Sequence, residues 1–182
     1  MNEEIRALEP KALWNKFADL NSVPRPSKKE ERVIEFMKNF GNQLELETLV
    51  DEVGNVIIRK PATQGMEDRK TVVLQSHLDM VHQKNNDTEF DFDTQGIEMI
   101  IEGDWVKAKG TTLGADNGLG VATIMAILES KEIEHPAIEA LFTIDEETGM
   151  TGAMGLKPGV LKGEILLNLD TEEDDEIGIG CA

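Results

Sequence analysis

The chain has 182 residues, 40% of them hydrophobic, and a formal charge of -18. That length is enough for one globular domain with a real core, while the charge speaks against a nucleic-acid partner or an anionic membrane surface, both of which need a basic footprint. One cysteine, Cys181, excludes an internal disulfide framework; with no signal-peptide layout and no apolar run of membrane length, the expectation is a cytoplasmic protein.

Pro10 suits a first helical turn, and Leu13, Trp14, Phe17 and Leu20 follow at helical spacing. Pro24-Arg25-Pro26 breaks that helix. Ser27 and Glu30 form a capping-box pattern that predicts a second helix from Ser27, with Val33, Ile34, Phe36, Met37 and Phe40 as its buried stripe and Gly41 as its end. Residues 44–49 and 55–59 read as a hairpin turning at 51–54. A compact apolar strand over 71–76 ends in His77-Leu78-Asp79, and the polar stretch 83–95 reads as mobile. Two strands, 97–101 and 105–109, flank Gly103-Asp104. A helix is expected over 119–128, then a strand over 138–144 that ends in Asp145-Glu146-Glu147. A short helical segment is expected near 152–156, and a last strand over 165–169 ends in Asp170, before a solvated acidic run at 172–176. Strands alternating with helices predict an α/β sheet with helices packed on it.

The chain is organised around one run, Gly110-Thr-Thr-Leu-Gly-Ala-Asp-Asn-Gly-Leu-Gly120. A helix start does not require so many glycines. Their expected use is backbone freedom, so that Asp116 can be aimed from an unusual loop conformation.

His77, the Glu146-Glu147 pair and Asp170 each follow directly on an apolar strand, and in open α/β sheets the ligand crevice lies at the carboxyl ends of strands. Asp116 can reach the same edge from its loop. Imidazole and carboxylate are the donors of a catalytic zinc site, whereas structural zinc favours thiolates. A carboxylate can bridge two cations about 3.5–4 Å apart. Asp79, two residues beyond His77, can bond the far ring nitrogen and fix its tautomer. Of two adjacent glutamates, one can ligate while its neighbour moves a proton. The pattern points to metal-assisted hydrolysis.

Each piece alone has a plainer meaning: a His-x-Asp after a strand is more often a surface turn, and Glu-Glu a solvated loop start. It is their order that carries weight. His82 reads as a loop histidine on the rim, His135 as a turn residue, and Cys181 as a buried small hydrophobe. Trp14 and Trp105 fit packing. A rival of another class is a calcium loop at Asp91, Asp93, Gln95, Gly96 and Glu102. Its flanks disfavour it, because 83–89 is a poor entering helix and Gly103 cuts off an exiting one.

Taken together, His77-Leu-Asp79, Gly114-Ala-Asp116-Asn117-Gly118, Asp145-Glu146-Glu147-Thr-Gly149 and Leu169-Asp170 resemble the signature of the co-catalytic zinc exopeptidases. The wording of 110–118, with Pro24-Arg25-Pro26-Ser27 and 104–108, is most similar to the aminoacyl-histidine dipeptidase branch, and the resemblance covers nearly the whole chain. It implies a three-layer α/β catalytic domain with a mixed central sheet and helices on both faces. It also implies two zinc ions, with manganese or cobalt as alternatives. His77 and Asp170 would hold one ion, Glu147 the other, and Asp116 would bridge them. Glu146 would be the general base acting on the water the ions activate, and Asp79 would orient His77. The peptide bond after Asp116 would be cis. The implied substrates are dipeptides, with C-terminal histidine preferred. The implied whole enzyme is a homodimer of which residues 1–182 form only the N-terminal part of the catalytic domain, lacking the lid and one further histidine ligand. The alternatives are a related tripeptide aminopeptidase or deacylase, and a non-catalytic metal-binding relative.

Overall fold

The computed structural model describes residues 2–171 and 177–180. The acidic run at 172–176 and Cys181 lie outside the described residues.

A one-turn helix α1 (Glu3–Arg6) leads to α2 (Lys11–Asn21), which starts directly after Pro10, and then to α3 (Glu31–Gln43). Strands β1 (Glu47–Val50) and β2 (Val56–Lys60) form the expected hairpin. Its turn is built by Asp51, whose Oδ1 accepts the N–H groups of Val53, Gly54 and Asn55 at 2.8–3.0 Å, with Gly54 at φ 108°. Strand β3 (Val72–His77) follows, then the separate hairpin of β4 (Met99–Glu102) and β5 (Trp105–Ala108). Helix α4 (Ala115–Glu129) leads to β6 (Ile138–Thr143), the short helices α5 (Glu146–Gly149) and α6 (Thr151–Gly155), and β7 (Ile165–Asn168).

Five strands make one mixed sheet in the order β1-β2-β6-β3-β7. β6, β3 and β7 run parallel, and β2 is antiparallel to β6. The expected α/β class and mixed sheet are therefore what the chain forms. Side chains alternate across it with the two-residue strand period. Val56, Ile58, Leu74, Ala140 and Phe142 face one side, where they join Leu20, Val33, Met37, Val121, Ile124, Met125 and Leu128 of the three long helices in the main core. Ile57, Val73 and Leu141 face the other, covered by Leu156, Val160 and Leu161. Helix α4 is apolar on all sides because it is buried twice. Its far side presents Ala122, with Ala115 and Leu119, to a second core of Ile5, Phe17, Ala18, Met80, Ile97 and Met99.

Two local expectations are corrected. Helix α3 starts at Glu31, and Ser27 does not cap it. The Ser27 hydroxyl donates instead to Asp79 Oδ2 at 2.8 Å, while Glu30 Oε1 accepts the N–H groups of Lys28 and Asp145. The Ser-x-x-Glu spacing was right for a capping box, but the tertiary partners of both side chains outcompete the helix end. The polar stretch 83–95 is tied down, with Asn85 N–H donating to Gly110 O and Thr112 N–H to Gln83 O, both at 2.8 Å, and with Phe90 and Phe92 packed on the second core. The calcium-loop carboxylates do not converge: Asp91 caps its own turn through Asp93 N–H and the Thr94 hydroxyl, Asp93 pairs with Lys29, and Glu102 pairs with Lys107.

Candidate metal centre

Because β3, β6 and β7 are parallel, their carboxyl ends share one edge of the sheet. His77 is the last residue of β3, Asp145 to Glu147 leave β6, and Asp170 lies just beyond β7. Asp116 arrives from the N-terminus of α4, where Gly114 sits at φ 68° and Asp116 and Asn117 depart from helical geometry. The Asp116–Asn117 peptide bond is cis, as the family resemblance implied.

Nε2 of His77 is the focus. It lies 3.0 Å from Asp116 Oδ1, 3.8 Å from Asp170 Oδ1 and 4.0 Å from Glu146 Oε2. The donor atoms of His77, Asp116 and Asp170 all fall within 4.8 Å of one another. Nδ1 of the same ring faces Asp79, 3.1 Å from its carbonyl oxygen and 3.3 Å from Oδ1. Asp79 is in turn fixed from three sides: Oδ1 accepts Glu146 N–H at 3.0 Å, and Oδ2 accepts Glu147 N–H at 3.3 Å and the Ser27 hydroxyl. An Nδ1–H held by Asp79 leaves the Nε2 lone pair aimed at carboxylate oxygens, so a proton or a cation must stand between them. That donor chemistry, nitrogen and oxygen without thiolate, fits a borderline divalent ion such as zinc.

The electrostatics agree. Burial lowers the proton affinity of the His77 ring, but the Asp79 hydrogen bond and charge, with Asp170 and Asp116, outweigh it and raise its pKa to about 9. Burial pushes the carboxyl of Asp170 up, and the Asp116 charge adds to it. Burial likewise pushes up Glu147, again with Asp116, although Val81 N–H opposes the shift. Crowded carboxylates of this kind bind protons or cations more readily than isolated ones. Glu147 stands outside the group formed by His77, Asp116 and Asp170, held instead beside Val81 and Asp79.

Several supporting residues were missed in the sequence. Asn117 donates from Nδ2 to Leu169 O at 2.7 Å and to Asp170 Oδ1 at 2.5 Å, locking the β7 exit to the Asp116 loop. Asp145, buried at the start of α5, accepts the hydroxyls of Thr148 and Thr151 and pairs with Lys28 at 3.1 Å. With Glu30 and Asp79 it forms a second buried acidic group behind the first. Asn117 and Asp145 stand inside the quoted motifs, but nothing in the sequence shows which distant groups their side chains hold. His82 is exposed and stacks edge-on against Phe92, consistent with a loop histidine. His135 is buried in its turn, its Nδ1 2.7 Å from Pro136 O.

Comparison with known proteins places this geometry. Residues 73–178 match the family model described as peptidase family M20/M25/M40. The chain is 50% identical over 179 residues to the cytosol non-specific dipeptidase of Escherichia coli K12, covering 98% of this chain and 37% of that protein. The crystal structure of aminoacylhistidine dipeptidase from Vibrio alginolyticus superposes with a TM-score of 0.92 at 53% identity, over 94% of this chain and 35% of that one. Aminopeptidase PepT from Bacillus cereus superposes with a TM-score of 0.77 at 25% identity, over 91% of this chain and 44% of that one. The chain thus spans little more than a third of the length of the Escherichia coli and Vibrio alginolyticus relatives. With the family model matched over more than half of its residues, the chain belongs to peptidase family M20/M25/M40.

Proposed function

We propose that this chain carries the N-terminal part of the catalytic domain of a zinc-dependent dipeptidase that prefers Xaa-His substrates. The observation that carries this is the convergence of His77 Nε2 with the Asp116 and Asp170 carboxylates at the shared carboxyl edge of β3 and β7. The names of the Escherichia coli and Vibrio alginolyticus relatives supply the dipeptide and the histidine. The share of those relatives that the chain covers supports assigning the lid, a further histidine ligand and the homodimer contacts to sequence beyond these 182 residues. The first relative's name supports a cytoplasmic setting.

His77, Asp116 and Asp170 would hold one ion, with Asp116 shared and Glu147 serving a second. Bound there, zinc supplies a polarised scissile carbonyl and a water of lowered pKa. Asp79 keeps the Nδ1–H tautomer of His77, so that Nε2 remains a ligand atom. Glu146, beside the cluster but outside the ligand group, takes the proton of the attacking water at its carboxylate and returns it to the leaving amine. Its backbone N–H is held by Asp79, which places the base by the same carboxylate that places the ligand.

The test is Glu146→Gln in the full-length protein, assayed on dipeptides with and without C-terminal histidine, on tripeptides and on N-acyl amino acids. Turnover should fall by about 10²–10⁴ while metal content is retained. Wild-type turnover in the variant removes Glu146 from this role. Preferred hydrolysis of tripeptides or acyl amino acids by the parent protein favours the neighbouring branches of the family.

A further inference from the structure

Among the described residues Arg25 is the largest fully buried side chain, 1% exposed, and none of its hydrogen-bond partners is a carboxylate oxygen. Its two terminal nitrogens are spent on backbone and amide acceptors, while its buried Nε has no hydrogen-bond partner among the described residues. Nη1 donates to Leu78 O at 3.1 Å and Asp79 O at 3.2 Å, and Nη2 donates to Gly114 O at 2.6 Å and Asn21 Oδ1 at 3.1 Å. Asn21, at the end of α2, donates from Nδ2 to Leu113 O at 3.1 Å. Arg25 and Asn21 together therefore grip two consecutive carbonyls of the Asp116 loop and two of the segment that follows His77. Burying a guanidinium without an ionic partner is costly unless its N–H groups are used. Burial pushes it down to about 10, while Asp79, Asp116 and Glu147 act the other way.

The glycines of the central run have a second reason in this light. A Cβ at Gly114 would stand 2.5 Å from Arg25 Nη2, and one at Gly118 would stand 2.6 Å from the same atom. The loop is kept bare on both sides of Asp116 so that the fork can enter. A lysine could fill the space, but its single ammonium cannot bridge both segments with the geometry of a planar fork.

We propose that Arg25 is a positioning residue of the metal centre, its guanidinium fixing the spacing between the His77–Asp79 strand end and the Asp116 loop. This rests on the metal-centre reading above. Arg25 touches no donor atom of the centre; it acts through the backbone that carries His77, Asp79 and Asp116.

The experiment uses the full-length protein loaded with Co(II), reading the visible d–d spectrum, the Co(II) affinity by chelator competition, and the Tm. Arg25→Lys should shift or weaken the bands and lower the affinity tenfold or more. Asn21→Ala, which removes one acceptor and one loop contact, should move both readouts in the same direction by less. Val33→Ala, a core change away from the bracket, should lower Tm and leave the spectrum unchanged. A folded Arg25→Lys protein with wild-type spectrum and affinity overturns the proposal. If Arg25→Lys does not fold, Asn21→Ala decides: a threefold or greater loss supports the bracket, and none overturns it. Failure of the wild-type protein to bind Co(II) at all overturns the metal-centre reading itself, and the proposal with it.

Discussion

The Asp79 carboxylate stands 3.3 Å from Nδ1 of His77, and the oxygen that faces the ring also accepts the N–H of Glu146. One buried side chain thus aligns the proposed ligand on β3 with the segment that leaves β6. Burial alone would push Asp79 up, but the His77 hydrogen bond, the Glu146 N–H and the Ser27 hydroxyl together hold it at about 2, so it stays ionised across the working range. Asp79→Asn keeps the shape but removes the charge and offers His77 a donor as readily as an acceptor. Metal affinity should fall by about 10–100-fold, measured by competition with a chromophoric chelator. Unchanged affinity would leave Asp79 with no orienting role.

Away from the centre, Glu139 gives the fold an acid-sensitive joint. It is buried on β6, with Oε1 2.9 Å from Arg59 Nε and Oε2 accepting the N–H groups of Lys162 and Gly163 at 2.7 and 2.8 Å. Burial raises its pKa, but the two backbone donors and Arg59 prevail, and it lies below the ordinary glutamate value. A depressed folded pKa means that the stabilisation is complete above the unfolded value of about 4.3 and is lost as pH falls through the folded value. Glu139→Gln should therefore cost about 1–3 kcal/mol at neutral pH and flatten the acid side of a Tm-against-pH curve. Curves that stay parallel from neutral pH down to about pH 3 would count against this assignment.

These two acids also mark where the sequence could and could not be read. His77, Glu146 and Asp170 each follow an apolar run of strand length, so their common edge followed from the open α/β-sheet expectation, and the glycine run announced the Asp116 loop. The partners behind them were hidden. Ser27 and Glu30 have a spacing that suits a helix cap, and only the approach of Asp79 and Asp145 draws them elsewhere. Arg25 between two prolines reads as a helix break, because nothing local shows that its acceptors lie more than fifty residues away on β3's exit and farther still on the Asp116 loop. Short apolar runs encode where strands stop. They do not encode which distant carbonyl a buried cation will find.

Gly152 offers a test of that distant packing. It lies in α6, where alanine would ordinarily be the better residue by about 1 kcal/mol. Its N–H donates to Ile144 O at 3.1 Å and its carbonyl accepts Asn55 Nδ2 at 2.9 Å. A Cβ there would lie 2.6 Å from Ile144 N and 2.7 Å from Ile144 O, which are backbone atoms that cannot rotate away. Gly152→Ala should destabilise by about 1–3 kcal/mol, seen as a lowered Tm. Because Ile144 leads directly into Asp145 to Glu147, metal affinity should weaken with it. A more stable variant would show that helix propensity, not this contact, governs the turn.

Metal linkage gives the sharpest contrast between stability and function. Asp116 is 55% exposed at its side chain, so its removal takes little packing or desolvated charge with it. Without added metal, Asp116→Ala should leave stability within about 0.5 kcal/mol of the parent. Zinc at about 100 times its Kd should stabilise the parent by about 2.7 kcal/mol, since only the folded chain assembles the ligands. The variant should lose most of that gain, because the oxygen 3.0 Å from His77 Nε2 is gone, and with it the carboxylate proposed to be shared. Thermal melts with zinc and with a chelator, run on both proteins, separate the two effects. A full zinc shift in Asp116→Ala would mean that His77 and Asp170 bind without it, and the role of the glycine-rich loop would have to be sought in the substrate rather than in the metal.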